Sequence, residues 1–301
     1  MAQLAPGHPT PHSVYLLTAG RRLLHPYTLL PTARAAMITG SAAEGVSDEY
    51  SDLDMTVYYA ESLPSEADLQ AIRSAHGSPD REWLLGERDG GAIAEAYEWH
   101  GIQVQIGHVT IARWEEDIAE VIERHACDTP LHKAMSGTLE SVTVAGAEWM
   151  DRWKARIASY PADLQRALIR THLRFFPIWY MPHIVDARDA ALWHRQMLIE
   201  GGFNVLGVLA GLNRRYFSSF QLKKLRRFLT GMTIVPAHCA DRLDLLATAP
   251  LHDAAATYEQ LVADTLDLVR AHMPDVDVAA AARRVGQRRP PWPLRSAEQD
   301  R

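Results

Sequence analysis

Only two cysteines, Cys127 and Cys239, occur in 301 residues. No disulfide framework or paired-cysteine metal site can be built from them, and a reducing compartment is the expected setting. His125, Cys127 and His132 lie close in sequence, but their spacing fits no common zinc site. Long apolar runs are also missing. The best candidate, near 205–212, falls far short of the roughly 18 to 20 residues that a membrane-spanning helix needs, so no membrane partner is expected. The proline- and histidine-rich start of the chain lacks the charged and then apolar regions of a secretory signal, which predicts a cytoplasmic protein. Nor is there an excess of positive charge. With 31 Lys and Arg against 37 Asp and Glu, the formal charge is -6, and the overall field repels a polyanion. Long nucleic acid is therefore a poor expected partner, whereas a small anion can still be held by a few local cations or a bound metal.

What is present is enough apolar residue, 47% of the chain, to bury two cores. Strand-like and helix-like segments alternate up to about Gly146, and everything after it reads as helix after helix. The pattern predicts an α+β domain over residues 1–145 and an all-α helical bundle over 146–282. A loosely ordered, arginine- and proline-rich tail is expected over 283–301. Within the first part the spacing predicts a helix over 14–30 broken at Pro26, a strand over 33–39 and a turn at Gly40-Ser41. A strand over 52–59, a helix over 65–76 and a hairpin with arms 92–99 and 102–111 follow.

The segment 37–58 reads Met-Ile-Thr-Gly-Ser-Ala-Ala-Glu-Gly-Val-Ser-Asp-Glu-Tyr-Ser-Asp-Leu-Asp-Met-Thr-Val-Tyr. It sets a Gly-Ser turn ahead of an Asp-Leu-Asp on an apolar strand. Side chains two apart on a strand face the same way, so Asp52 and Asp54 project together while Leu53 and Met55 face the other side. Two carboxylates so placed can share Mg²⁺, which prefers hard oxygen ligands and is usually held by one or two carboxylates plus substrate phosphates. Gly40 lets the backbone approach closely and Ser41 adds a hydroxyl beside backbone amides, together a small cradle for phosphates.

This segment resembles the signature of DNA-polymerase-β-like nucleotidyltransferases: a Gly-Ser, a spacer, then Asp-apolar-Asp-apolar, with an apolar strand before and a helical domain after. Among them it is most similar to the small-substrate type, such as aminoglycoside and lincosamide nucleotidyltransferases with a helical C-terminal half. The resemblance implies an α+β nucleotidyltransferase domain with a mixed sheet and flanking helices, followed by the helical bundle. It implies transfer of a nucleoside monophosphate, most simply AMP from ATP, to a hydroxyl of a small-molecule acceptor, with Asp52 and Asp54 on Mg²⁺. Gly40 and Ser41 would then seat the nucleotide's phosphates, and a homodimer is expected because several relatives form one. Such families usually carry a third carboxylate on a later strand, where this chain has Gln105 between Val104 and Ile106. An amide oxygen can ligate a metal but cannot act as a base. Glu95, Glu98 and His108 lie near enough in sequence to substitute, and the sequence leaves the choice among them open.

Lys223, in the cationic run Lys223-Lys224-Leu225-Arg226-Arg227, could reach the triphosphate as a helical-domain lysine does in relatives, or could belong to a solvated face. The aromatic group Phe175, Phe176, Trp179 and Tyr180 is expected in the core. Gly207 and Gly211 are expected to allow close helix packing. Two other functional readings stay open. One is transfer to a protein side chain or RNA end, as in antitoxin-like members, against which the acidic net charge weighs for RNA. The other is a nucleotide-binding module whose catalysis has lapsed, prompted by Gln105.

Overall fold

A computed structural model describes residues 8–181, 183–219, 222–290 and 292. The fold is α+β. The chain divides into two compact units, one comprising Met1–Ala126 and Leu131–Pro161, the other Cys127–Pro130 and Ala162–Arg301.

The first unit runs α1 (Pro11–Thr28), β1 (Ala33–Ile38), α2 (Gly40–Ala43), β2 (Leu53–Tyr59), α3 (Glu66–Ala75) and β3 (Trp83–Glu87). After these come β4 (Ala92–Trp99), β5 (Ile102–Thr110), α4 (Ile111–Ile122), α5 (Leu131–Glu140), β6 (Val142–Ala145) and α6 (Ala147–Ala158). Its six-stranded mixed sheet has the order β3-β4-β5-β2-β1-β6, and β2 and β5 run parallel while the other neighbours are antiparallel. Alternation along β2 splits the sheet's faces. Leu53, Met55, Val57 and Tyr59 join Val104 and Ile106 of β5 and Leu16, Leu23 and Tyr27 of α1 in one apolar core. On the other face Tyr58 meets Trp153 of α6 at 4.6 Å and Trp114 of α4 at 5.6 Å between ring centroids. That face is closed by aromatics at the C-terminal end of β2, and its N-terminal end carries Asp54.

Two expectations change here. Pro26 lies inside α1 rather than breaking it. So close to the helix end, the ring deprives the helix of one bond, and the amide of Leu29 still closes onto the Pro26 carbonyl at 3.3 Å. Helix α6, expected with the helical half, packs in the first unit, because Trp153 is fully buried there and its indole N–H donates to Glu115 of α4 at 2.7 Å.

The second unit contains α7 (Ala162–His172), α8 (His183–Ala187), α9 (Ala191–Leu212), α10 (Leu225–Leu229), α11 (Cys239–Thr248), α12 (Leu251–His272) and α13 (Ala279–Ala282). Helix α9 is apolar around most of its second half and sits at the centre, as a fully buried helix must. A Cβ at Gly207 would meet the His172 ring at 2.2 Å and one at Gly211 would meet Ile169 at 2.6 Å, so both glycines let α7 lie directly on α9. The aromatic group divides: Trp179 is buried in this core, whereas Phe176 is substantially exposed.

The segment after α13 is not loose over 283–290. The Trp179 indole donates to the Arg284 carbonyl at 3.0 Å, Arg288 makes a bidentate pair with Glu259 at 2.9 and 2.7 Å, and the Arg289 amide donates to Tyr180 at 2.8 Å. Its composition suggested a tail because the partners that tie it down lie about a hundred residues earlier or on α12. The rest of the expected tail, apart from residue 292, lies outside the described residues.

Candidate functional site

The turn between β1 and β2 builds the site. Gly40 adopts φ +65°, a left-handed conformation open to glycine at little cost, and a Cβ there would lie 2.2 Å from Oδ2 of Asp54. The missing side chain is what lets the Asp54 carboxylate rest against the Gly40 backbone. The Thr39 amide donates to the Asp54 carbonyl at 2.9 Å, which fixes the turn to the strand. Gly40→Ala is expected to cost about 1–2 kcal/mol in backbone strain alone, with a further loss from displacing Asp54. Thermal unfolding checks this, and an unchanged melting temperature would contradict it.

The turn is held from below by the start of α1, a contact that no local pattern signals. Thr10 donates through its hydroxyl to the Ser47 carbonyl at 2.8 Å, and the Ser47 amide donates to the Ser13 hydroxyl at 2.8 Å. The hydroxyls of Ser41 and Ser47 lie 3.0 Å apart. Just before Asp52, a second turn closes through the Asp48 carboxylate, which accepts from the Ser51 hydroxyl at 2.8 Å and the Tyr50 amide at 3.1 Å.

Asp52 and Asp54 are both half-buried. In the parallel register Asp54 stands beside Gln105. Its amide nitrogen donates to Oδ2 of Asp52 at 2.9 Å and to Oε1 of Gln103 at 2.8 Å, and Gln103 in turn donates to Glu82 at 2.7 Å. The direction of this chain is set by its ends. Ionised carboxylates only accept, so Gln103 must turn its nitrogen to Glu82, and Gln105 must present its nitrogen to Gln103 and Asp52. Gln105 thus faces Asp52 as a donor and not as an oxygen ligand. The pair of glutamines two apart on β5 was the available signal for this ladder.

Glu95 and His108 project from the opposite face, into the core shared with α1 and α3. Glu95 is fully buried and pairs with Arg73 at 2.5 Å and Arg81 at 3.5 Å. His108, also fully buried, lies 2.9 Å from the Tyr59 hydroxyl and 3.4 Å from Glu95, and burial pushes its pKa below the ordinary histidine value despite the carboxylate. Both are structural. Glu98 shares the face of Gln103 and Gln105 but stands at the exposed hairpin end, across from Gln103. Among the described residues no group of three or more His, Cys, Asp or Glu side chains is placed to hold a metal.

Lys223 belongs to the second unit, where it is exposed and precedes α10 instead of lying on it. That helix is five residues long, and its Arg226 is engaged with Asp241 at 2.8 Å and Asp244 at 2.7 Å. The first unit therefore brings together Gly40, Ser41, Asp52, Asp54 and Gln105 without Lys223.

No protein-family model and no curated protein matches the chain. Among solved structures it is similar to a nucleotidyltransferase-like protein from Exiguobacterium sibiricum 255-15, at 8% identity over 86% of this chain and 80% of that one, with a TM-score of 0.35. It is also similar to a chain of the CdnC:HORMA-deltaN complex of E. coli MS115-1, at 15% identity over 92% of both chains, with a TM-score of 0.27. Both are distant likenesses.

Proposed function

We propose that the chain is a nucleotidyltransferase that uses Mg²⁺ to move a nucleoside monophosphate, most simply AMP from ATP, onto a hydroxyl of a small-molecule acceptor. The observation that carries this is the seating of Asp54 against the bare Gly40 backbone, with Asp52, one residue ahead of β2, bound by Gln105 from the neighbouring strand. Carboxylate pair and phosphate cradle would then be tied together by the Thr39 amide on the Asp54 carbonyl. The donor set fits the metal: two half-buried carboxylates at the head of β2 offer hard oxygens, and positions left to water and phosphate complete what Mg²⁺ prefers.

Asp52 and Asp54 would hold the ion, which supplies neutralisation of the triphosphate charge and eases the departure of pyrophosphate. Gly40 and Ser41 would seat phosphate oxygens through backbone amides and the Ser41 hydroxyl. Gln105 holds Asp52 in orientation by donating to Oδ2, and as an amide it takes no proton from the acceptor. Removing that donor frees the carboxylate to rotate. Gln105→Ala is accordingly expected to lower turnover about 10- to 100-fold and to raise the Mg²⁺ concentration needed for half activity. Unchanged turnover with an unchanged Mg²⁺ requirement would remove Gln105 from the account.

A second reading, nucleotide binding without transfer, is favoured by the amide that stands beside Asp54 in the parallel register. The two readings part in one assay: pyrophosphate release from each of the four nucleoside triphosphates with Mg²⁺, against a panel of aminoglycosides, lincosamides and cell extract. Acceptor-dependent release supports the transferase. Mg²⁺-dependent nucleotide binding with no release under any acceptor supports the second reading.

A further inference from the structure

The second unit contains a cavity of about 540 Å³ whose walls combine aromatic rings with positive charge. Phe176 and Trp193 meet edge to face, 5.5 Å between centroids, and Trp292 adds a third ring. All three are well exposed: Phe176 40%, Trp193 37% and Trp292 72%. The basic side chains in the wall are His183, Arg188 and Arg289, and among the described residues none of the wall side chains is a carboxylate. In a protein of net charge -6, two guanidiniums in one wall are a local concentration of positive charge.

Rings left in water beside guanidiniums are costly to maintain for packing alone, since folding gains from burying aromatic surface. Here the rings are kept at the rim of a preformed space. The wall is also held in place: the Arg289 amide donates to the Tyr180 carbonyl at 2.8 Å, and the preceding Arg288 is clamped by Glu259. Bound molecules therefore meet a pocket whose one side is strapped down before they arrive, which lowers the ordering cost of binding.

We propose that this cavity binds a free small molecule that carries an aromatic ring system and a negative charge. Its volume lies within the range of ordinary small-ligand sites. The ring would lie against Trp193 and Phe176, while Arg188 and Arg289 take the anionic group, a carboxylate, sulfonate or phosphate that matches the planar guanidinium fork. The site lies wholly within the helical unit and does not depend on the transferase reading, so either can fail without the other.

The test uses the full chain and two probes with the same ring and opposite charge, naphthalene-2-sulfonate and naphthalen-2-ylmethylammonium, in isothermal titration calorimetry. The expected result is binding of the sulfonate at least about tenfold tighter than the ammonium. That preference should disappear in the double variant Arg188→Gln, Arg289→Gln, while Trp193→Ala should weaken the sulfonate without reversing the preference. Both arginines are exposed, and a matching circular dichroism melt will show that the variants fold. Equal affinity for the two probes, a preference that survives the double variant, or no binding of the sulfonate would each overturn the proposal.

Discussion

Asp54→Asn is expected to reduce pyrophosphate release on the order of 10³-fold, the scale at which losing a preorganised charge in a reaction site is felt. The substitution keeps the volume and shape of the side chain that rests against Gly40, so the turn and strand should stay as they are. What changes is charge. A neutral amide offers one oxygen in place of a carboxylate and no longer offsets a divalent cation. Asp52→Asn should act in the same direction, while the ladder keeps its direction, because the Glu82 carboxylate still requires Gln103 to donate to it and Gln105 to donate to Gln103. Thermal unfolding of both variants should match the parent within a few degrees, which separates a lost charge from a lost fold. Turnover within a few-fold of the parent in the Asp54→Asn variant would remove this carboxylate from the chemistry.

The second large effect is on stability. Glu95→Ala is expected to cost about 3–5 kcal/mol, because it leaves the Arg73 guanidinium buried without its carboxylate. Arg73 is 2% exposed and Glu95 0%, so water cannot take over the lost pairing. Arg73 keeps one partner, Glu66 at 3.0 Å, but Arg81 and Arg88 draw on the same Glu66 carboxylate. His108 loses its neighbour too. For a unit of this size the loss corresponds to a fall in melting temperature of roughly 10 °C. Below that temperature the variant should keep the parent's Mg²⁺ requirement, since Glu95 projects from the sheet face opposite Asp54. A destabilisation under about 1 kcal/mol would show that the buried pair is not what ties α3 to the sheet. A raised Mg²⁺ requirement in the folded variant would show that Glu95 reaches the metal.

The difference between these two sites explains what could be read in the sequence. The alternation from Leu53 through Tyr59 and the nearby Gly40 made the carboxylate pair and the turn legible, although β2 begins at Leu53 and leaves Asp52 one residue ahead of it. The hairpin arms also emerged from alternation, whereas a place for Gln105 next to the pair followed only from the family resemblance. Glu95 and His108 were ambiguous because residue type alone does not reveal a face. Counting from Gln105 along β5, His108 is an odd number of residues away and must point to the other side, and pairing across the hairpin puts Glu95 there with Ile106. The partner that makes Glu95 structural, Arg73, comes from a helix 22 residues earlier.

Other features depended on contacts that no local pattern carries. The Thr10 and Ser13 latch beneath the Gly-Ser turn spans 34 residues or more. Strand β3 was not anticipated; as an edge strand with most of its side chains in water it shows no apolar alternation, and only its pairing with β4 makes it a strand. The segment 283–290 looked unstructured by composition, yet Glu259, Trp179 and Tyr180 hold it. In each case contacts made outside the segment decide the outcome.

The most direct test of the account is to incubate the full chain with ATP labelled in the α-phosphate, Mg²⁺ and the acceptor panel, with and without a chelator. Label carried onto an acceptor with an equal amount of pyrophosphate, and abolished by the chelator, is the predicted result. Label that stays on ATP, together with no Mg²⁺-dependent binding of ATP, would contradict it.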